Sequence, residues 1–412
     1  MNRRQFLILF LCNLIPWWVG SGLVSLLPLY AASLGASPTV VGNFLSLLFL
    51  ALAAGTMAGG WYAPKVRNFR QLLMVLGASS GVAILLMGFV TSIWQLILLS
   101  MVGWFSSGIT GSLVITLASE QAETGARGRT FGLLAVATSL GGLLGGVSGF
   151  IVDHWGYPWL FVLAGATWFV QLLVATFLIN PPRMNGQEAI ARPNQAQSRE
   201  LSASFAIPFL LLMVGALLVS IANFTGFLGR TLAMEANGFS NATIALVTAL
   251  GSGLGLVINP LLGHLSDRGR RRLILGVLYV AGALALSISA YSRTVTNFVL
   301  VGILLAFSGA ERGISVALVG DYVPANALSR SLSLFDGVKW LGGVVGLAGT
   351  GYAIEQMGLA QALLLSTLLP VVATLLLLFL RSGTVHPGHL PAPPLDTGWQ
   401  VQQEGTEAQS AG

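Results

Sequence analysis

The feature that most constrains this chain is a succession of apolar stretches, each about as long as a lipid bilayer is thick. A helix needs about 20 mainly apolar residues to cross ~30 Å of hydrocarbon. Of the 412 residues, 55% are hydrophobic and only 8% are charged, whereas a soluble domain carries about 25% charged residues to cover its surface. The sequence is therefore that of a membrane protein.

The length rule predicts twelve membrane-spanning helices. The predicted spans are residues 5–30, 39–61, 71–90, 94–119, 130–152, 159–180, 205–229, 240–263, 272–291, 296–320, 331–354 and 359–380. Transmembrane β-barrels instead have segments of about ten residues in which apolar and polar side chains alternate, and this sequence has no such segments. We therefore predict an all-α membrane protein.

The Lys and Arg residues indicate how the chain is oriented. With a cytoplasmic N-terminus, sixteen of the 20 basic residues fall in cytoplasmic segments, and only Arg230 and Arg293 fall in outer ones. Cytoplasmic loops of membrane proteins are enriched in Lys and Arg in this way. We predict a multi-pass protein of the bacterial inner (plasma) membrane with both termini in the cytoplasm. The net charge of +6 then requires no nucleic-acid partner.

A hydrophilic segment, residues 181–204, divides the predicted spans into two groups of six. We predict an N-terminal six-helix bundle (1–180), a cytoplasmic linker and a C-terminal six-helix bundle (205–381). The remaining residues, 382–412, lack apolar periodicity, and we predict a disordered cytoplasmic tail there.

The two groups of spans are internal repeats. The turn Leu34-Gly35-Ala36-Ser37 aligns with Asn237-Gly238-Phe239-Ser240 at an offset of 203 residues. Because six is an even number, both copies enter the membrane in the same orientation and are related by an axis along the membrane normal. This pseudo-twofold symmetry predicts a central cavity between the halves, near the middle of the membrane.

The loop after the eighth predicted span, residues 263–272 (GHLSDRGRRR), resembles a signature of the major facilitator superfamily. That signature reads Gly-x-x-x-Asp-Arg-x-Gly-Arg-Arg/Lys, and the match is offset by one residue at the second glycine. The likeness covers residues 1–381 and is strongest to the drug and metabolite exporters that work as proton antiporters. The first-half copy of the loop, residues 60–67, departs from the pattern because Pro64 stands at the acidic position.

The resemblance implies a set of residues that lock the cytoplasmic face when the cavity opens outward. Asp267 would cap a helix N-terminus and pair with arginines, and charges at the ends of spans 4 and 10 would form a latch. The implied gating residues are Gly263, Asp267, Arg268, Arg270, Arg127, Arg129, Glu120, Asp321 and Arg330. The alternative is a solvated basic loop with one incidental Asp.

The fifth predicted span carries Gly141, Gly145 and Gly149 at four-residue spacing. This stretch resembles the antiporter motif Gly-x-x-x-Gly-Pro-x-x-Gly-Gly of drug exporters, although Gly146 stands at the proline position and Phe150 at the last glycine. Small residues one turn apart also allow two helices to pack closely. Both interpretations remain open.

Four charged side chains lie inside predicted spans, namely Glu311 and Arg312 in span 10 and Asp336 and Lys339 in span 11. They lie about 9–15 Å from the predicted cytoplasmic ends of their spans. Ionisable side chains at such depth usually face a cavity and have a partner, and the matching depths predict the pairs Glu311–Lys339 and Arg312–Asp336.

These four charges admit three interpretations. Glu311 or Asp336 is a proton-coupling acid, Arg312 or Lys339 anchors an anionic substrate, or all four form a static lattice that stabilises the second bundle.

The resemblance also implies that spans 1, 4, 7 and 10 line the cavity. Asn13, Trp17, Trp104 and Asn223 are then candidates for contact with a moderately apolar organic substrate. Alternatively, the asparagines bond between helices and the tryptophans fill lipid-facing or interfacial space.

The sequence as a whole predicts a secondary transporter that moves a small organic solute by alternating access. Proton-coupled efflux of a drug-like compound or metabolite is preferred; uptake of a sugar-like or anionic metabolite and a non-transporting sensor or assembly protein are alternatives. The sequence has no Gly-x-x-x-x-Gly-Lys-Ser/Thr loop for ATP and no Cys/His spacing typical of a metal site. We predict no cofactor and no enzymatic activity, and a monomer whose partners are lipid, substrate and protons.

Overall fold

The computed structural model describes residues 3–63, 66, 68–121, 127–180, 203–266, 271–323 and 325–380. All regular secondary structure in these residues is helical, which confirms the predicted fold class at this level. The helices are α1 (Arg3–Ser33), α2 (Pro38–Tyr62), α3 (Phe69–Leu86), α4 (Ile93–Gln121), α5 (Arg127–Leu144), α6 (Ser148–Thr176), α7 (Ala203–Ala236), α8 (Asn241–Leu265), α9 (Arg271–Tyr291), α10 (Val295–Gly309), α11 (Glu311–Tyr322), α12 (Ala325–Met357), α13 (Leu359–Ser366) and α14 (Leu368–Phe379).

Most of these helices match the sequence prediction closely, and ten of the described helical segments are long and apolar enough to cross a membrane. Predicted spans 1–4, 7–9 and 11 each correspond to one helix. Spans 10 and 12 are each divided into two helices, by Ala310 and Thr367 respectively. The long helix α12 does not belong to the ten, because it combines charged residues with many glycines.

The predicted break between spans 5 and 6, at residues 153–158, is confirmed in position. The chain continues from α5 through a 3₁₀ turn, Gly145–Val147, directly into α6. The break comes at Gly156, whose φ of 82° and ψ of 173° are non-helical. Glycine adopts positive φ without the steric cost that a Cβ imposes, so the direction of the chain changes here without a loop.

The two repeated turns have the same construction. Gly35 follows α1 with φ of 83°, and Gly238 follows α7 with φ of 75°. Each turn then leads into a helix near a serine, and the Ser37 side chain accepts a hydrogen bond from the Val40 amide at the start of α2. Such a cap satisfies one of the free amides of the first helical turn. Both turns lie at the predicted outer face.

The N-terminal half (3–180) and the C-terminal half (203–380) pack against each other through α2 with α12 and through α5 and α6 with α8. Small residues allow this close approach. A Cβ added to Gly42 of α2 would lie 3.0 Å from the Cα of Gly351 in α12, and one added to Gly146 would lie 2.6 Å from the Ala249 Cβ. In this structure the halves are therefore in contact at the predicted outer face.

Candidate substrate and coupling site

The four charged residues predicted inside spans lie on two helices that pack together, α11 and α12. Glu311 is the first residue of α11, directly after the break at Ala310. A carboxylate in the first turn of a helix interacts favourably with the positive end of the helix dipole and with its free amides. On α12, Asp336 and Lys339 are three residues apart, so they share one face of that helix.

Glu311 and Lys339 form a buried ion pair, which confirms the pairing predicted from their depths. The Glu311 side chain is 2% exposed and the Lys339 side chain 11%. The Ser315 hydroxyl donates a second hydrogen bond to the Glu311 carboxylate at 2.6 Å, from one turn further along α11. The carboxylate therefore has two partners, as a buried charge requires.

Arg312 and Asp336 form the second predicted ion pair, and this one is accessible. The Arg312 side chain is 52% exposed and the Asp336 side chain 41%. The guanidinium of Arg312 also lies over the ring of Trp340, 5.8 Å from its centroid, a cation–π arrangement. One pair of this cluster is thus buried, whereas its neighbour is open to a solute.

Three aromatic rings from three helices meet beside the accessible pair, and we call them the aromatic cluster. The Phe49 ring of α2 lies 4.9 Å from the Phe224 ring of α7, edge to face, and 6.1 Å from the Trp340 ring of α12. Phe49 belongs to the N-terminal half and the other two rings to the C-terminal half. The aromatic cluster therefore lies where the two halves meet.

Sequence reasoning missed the aromatic cluster. Phe224 follows Asn223 and Trp340 follows Lys339, so both adjoin residues that had been selected for their polarity. Gly343 leaves room for the Phe224 ring in the structure, because a Cβ at this position would lie 2.7 Å from the ring. Nothing in the sequence marks Phe49.

The predicted substrate-contacting asparagines bond between helices in this structure. The Asn13 amide donates to the Leu134 carbonyl at 2.9 Å and to the Thr138 hydroxyl at 3.1 Å, which links α1 to α5. Asn223 accepts from the Ser308 hydroxyl at 2.8 Å, which links α7 to α10. These bonds follow the alternative interpretation of the two amides.

The two predicted tryptophans differ in exposure. Trp104 is 6% exposed and packs in the main hydrophobic core, whereas Trp17 is 46% exposed. The Trp104 ring is thus enclosed in this conformation, and substrate contact by either residue stays a prediction.

Most of the implied gating residues, or their side chains, lie outside the described part of the structure. Asp267, Arg268 and Arg270 lie outside the described residues, and Gly263 lies near the end of α8. Helices α4, α5 and α12 contain Glu120, Arg127, Arg129 and Arg330, whose side chains lie outside the described part of the structure.

Asp321 has a partner that sequence reasoning missed. Its Oδ1 is 2.5 Å from the Arg271 guanidinium at the start of α9. The pair is half-exposed, so it contributes little by itself.

Arg230, one of the two predicted outer cations, is buried within α7 at 4% exposure. It donates to the Thr248 hydroxyl at 3.0 Å, and its Nε has no hydrogen-bond partner among the described residues. Among the described residues, no ion pair joins Arg230 to Glu235, which follows it by five positions in α7.

The apolar helices form two packed halves, and paired charges lie beside the aromatic cluster where the halves meet. This arrangement defines a secondary transporter of the membrane. The comparison of sequences gives the family. The sequence profile of the Major Facilitator Superfamily matches residues 6–234 and 227–404, and the chain belongs to that superfamily. It is therefore a transporter that moves a small solute by alternating access, and its family is not an enzyme class.

Relatives and solved structures agree with this assignment. Multidrug resistance protein MdtG of Klebsiella pneumoniae (strain 342) is 28% identical over 342 residues, covering 77% of this chain and 80% of MdtG. The uncharacterized MFS-type transporter YuxJ of Bacillus subtilis (strain 168) is 26% identical over 292 residues, covering 66% of this chain and 72% of YuxJ.

Two solved transporters share the fold. Nucleoside transporter NupG has a TM-score of 0.75 at 16% identity, covering 92% of this chain and 98% of that chain. A bacterial homolog of the human lysosomal transporter Spinster, inward-facing and occupied, has a TM-score of 0.73 at 15% identity, covering 92% of this chain and 97% of that chain. At such identities the likeness concerns the fold.

Proposed function

We propose that this chain is a proton-coupled exporter of aromatic, drug-like compounds in the inner membrane of a bacterium. The observation that carries the proposal is the buried Glu311–Lys339 ion pair, which lies beside the accessible Arg312–Asp336 pair and the aromatic cluster. A titratable group next to an apolar, aromatic surface is what coupling of protons to such substrates requires. The relatives named multidrug resistance protein support the same class of substrate.

The proposal includes twelve crossings in two six-helix bundles related by pseudo-twofold symmetry, with both termini in the cytoplasm. The ten apolar segments support this count, because one of them, Leu133–Thr176, contains the break at Gly156 and is long enough for two crossings. Helix α12 supplies the remaining crossing: at about 1.5 Å per residue, its 33 residues exceed the thickness of the hydrocarbon.

Contact of the halves at the predicted outer face makes this conformation the one that faces the cytoplasm. A substrate entering from the cytoplasm meets the aromatic cluster and the accessible Arg312–Asp336 pair. Lys339 and Ser315 both contact the Glu311 carboxylate in this arrangement.

Coupling follows from competition for the Glu311 carboxylate. When the halves open to the outside, a proton takes the place of the Lys339 ammonium on this carboxylate. After the halves have reopened to the cytoplasm, the proton is released and the ion pair forms again. Substrate leaves on the outside and the proton enters the cell, so the cycle is an antiport.

Transport by purified protein in liposomes tests this function. With ethidium as the aromatic cation and an acidic lumen, we expect the wild-type protein to accumulate ethidium inside. We expect Glu311→Gln to lose accumulation driven by the pH gradient while it retains ethidium flux down a concentration gradient. Glu235→Gln removes a carboxylate outside the cluster and serves as the control.

Two results would refute the proposal. Accumulation by Glu311→Gln at the wild-type rate would remove this carboxyl from the coupling mechanism. Failure of the wild-type protein to move ethidium in either direction would remove aromatic cations as substrates.

A second function, uptake of an anionic metabolite, is favoured by one observation, the 52% exposure of the Arg312 side chain beside the contact between the halves. A carboxylate or phosphate group could displace Asp336 from it. Inhibition of ethidium binding by organic anions, lost in Arg312→Gln, would support this alternative over the first.

A further inference from the structure

Two carboxylates at the predicted outer face join the halves of the protein, and they are related by the internal repeat. Asp153 lies in α6 of the N-terminal half and Glu355 near the end of α12 in the C-terminal half. They are 202 positions apart, close to the offset of 203 residues between the repeated turns at Gly35 and Gly238.

Asp153 binds the start of α8 in the opposite half. Its Oδ1 accepts hydrogen bonds from the Asn241 backbone amide at 3.1 Å and from the Asn241 side-chain amide at 2.8 Å. Its Oδ2 accepts from the Ala242 backbone amide at 2.8 Å. Both carboxylate oxygens are therefore used, and all three donors lie at the beginning of a helix in the other half.

Glu355 makes the equivalent contact in the reverse direction, from the C-terminal half to the start of α2. Its Oε2 accepts from the Ser37 hydroxyl at 2.9 Å and from the Thr39 backbone amide at 3.1 Å. The first amides of a helix have no partner within the helix and lie at the positive end of its dipole. A carboxylate supplied by the opposite half satisfies them.

Each carboxylate lies one helical turn after a glycine. The glycine explains why the start of the opposing helix can approach the backbone so closely. A Cβ added to Gly149 would collide with the carbonyl oxygen of Asn241, and one added to Gly351 would collide with the carbonyl oxygen of Pro38. The unit is thus Gly-x-x-x-acid on the long helix, present once in each half. The glycine admits the opposing backbone, and the acid holds it.

We propose that these two Gly-x-x-x-acid units, Gly149 with Asp153 and Gly351 with Glu355, form a symmetric outer clasp that closes the outer face and is released in every transport cycle. This inference rests on the alternating-access part of the proposed function. Opening the outer face must break all five hydrogen bonds of the two carboxylates and expose the amides of both helix starts. Because the two units are equivalent by the repeat, each contributes to the stability of the closed state, and the loss of both is cumulative.

The test measures the distance between the halves by pulsed electron spin resonance. Spin labels are attached at Thr91 and Thr296, two exposed residues at the predicted outer face of opposite halves, in a Cys12→Ser background that removes the buried native cysteine. The protein is reconstituted in lipid nanodiscs without substrate and without a proton gradient. Its result is therefore independent of which solute is carried and of how transport is coupled.

For the wild-type protein we expect one dominant short distance. Asp153→Ala and Glu355→Ala should each raise the ratio of the long-distance to the short-distance population about tenfold, which is about 1.4 kcal/mol and comparable to the net contribution of one hydrogen bond. The double variant should raise it further than either one. Glu235→Ala, an exposed carboxylate of the same face without a bond to the other half, should leave the distribution unchanged.

A bulky side chain at the glycine provides an independent check that the labels report opening. Gly149→Trp should populate the long distance because the Asn241 carbonyl can no longer approach. If Gly149→Trp opens the face but the double alanine variant matches the wild type, the carboxylates do not hold it closed and the clasp is refuted. An equal shift in Glu235→Ala would also refute it, since the effect would then be one of surface charge.

Discussion

The substitution Lys339→Met tests the energetics of the buried pair most directly, because it leaves the Glu311 carboxylate without its counter-charge. That side chain is 2% exposed, and its remaining partner is the Ser315 hydroxyl. Removing one partner of a buried ion pair typically costs about 3–5 kcal/mol. The methionine is apolar and of similar length, so the loss of packing volume is small.

We therefore expect Lys339→Met to lose about 3–5 kcal/mol of stability. The double variant Glu311→Gln with Lys339→Met, which has neither charge, should recover most of the loss.

The assay is thermal unfolding of the purified protein in detergent, followed by tryptophan emission. Asp336→Asn is the matched control, because its pair with Arg312 is half-exposed and such pairs contribute about 0–1 kcal/mol. A double variant as unstable as Lys339→Met alone would show that the Glu311 carboxylate is not the source of the loss.

Three further predictions concern other parts of the molecule. Phe49→Ala should raise the half-saturating ethidium concentration about 2- to 10-fold, since an aromatic contact contributes about 0.5–1.5 kcal/mol. Trp94 is 71% exposed and lies away from the aromatic cluster, so Trp94→Ala should leave that concentration unchanged. Equal effects of the two substitutions would contradict the proposed substrate site. Hydrogen bonds from the Thr39 side chain and then from Ser37 lower the pKa of Glu355 below 4.5. The outer face should therefore stay closed from neutral pH down to about that value and open as the pH falls through the lowered pKa. Spin-label distances measure this opening, and an opening already at pH 6 would contradict the prediction. Arg230→Met should leave the melting temperature unchanged or raise it, because a buried guanidinium without a carboxylate partner costs more than an apolar side chain; a large decrease would reveal a partner elsewhere in the chain.

The positions of the helices were predictable from the sequence because the membrane imposes a simple requirement. Each crossing needs a certain length of apolar residues, and that length is readable without knowing any neighbour. The same holds for the buried pairs: rise per residue gives the depth of Glu311 and Lys339, and charges in a membrane need partners at their own depth. The structure confirms both pairs.

The break within span 10 was less predictable, because it depends on local geometry. At Ala310 a single residue separates two helices. Ala310 has no sequence signal of a break, since alanine is a good helix former. That break nevertheless places Glu311 at a helix start, where its charge is better accommodated.

What only the tertiary structure decided is which residues meet across the two halves. Phenylalanine is common in lipid-facing as well as internal positions of a membrane protein, so no local pattern distinguishes Phe49, which contacts the opposite half, from the others. The sequence contains Gly149 with Asp153 and Gly351 with Glu355 at the same spacing, but nothing in it marks them as contacts between the halves. Their partners, the first amides of α8 and α2, carry no sequence signature, because every helix start has such amides. Only the packing of the two halves decides which helix starts these carboxylates bind.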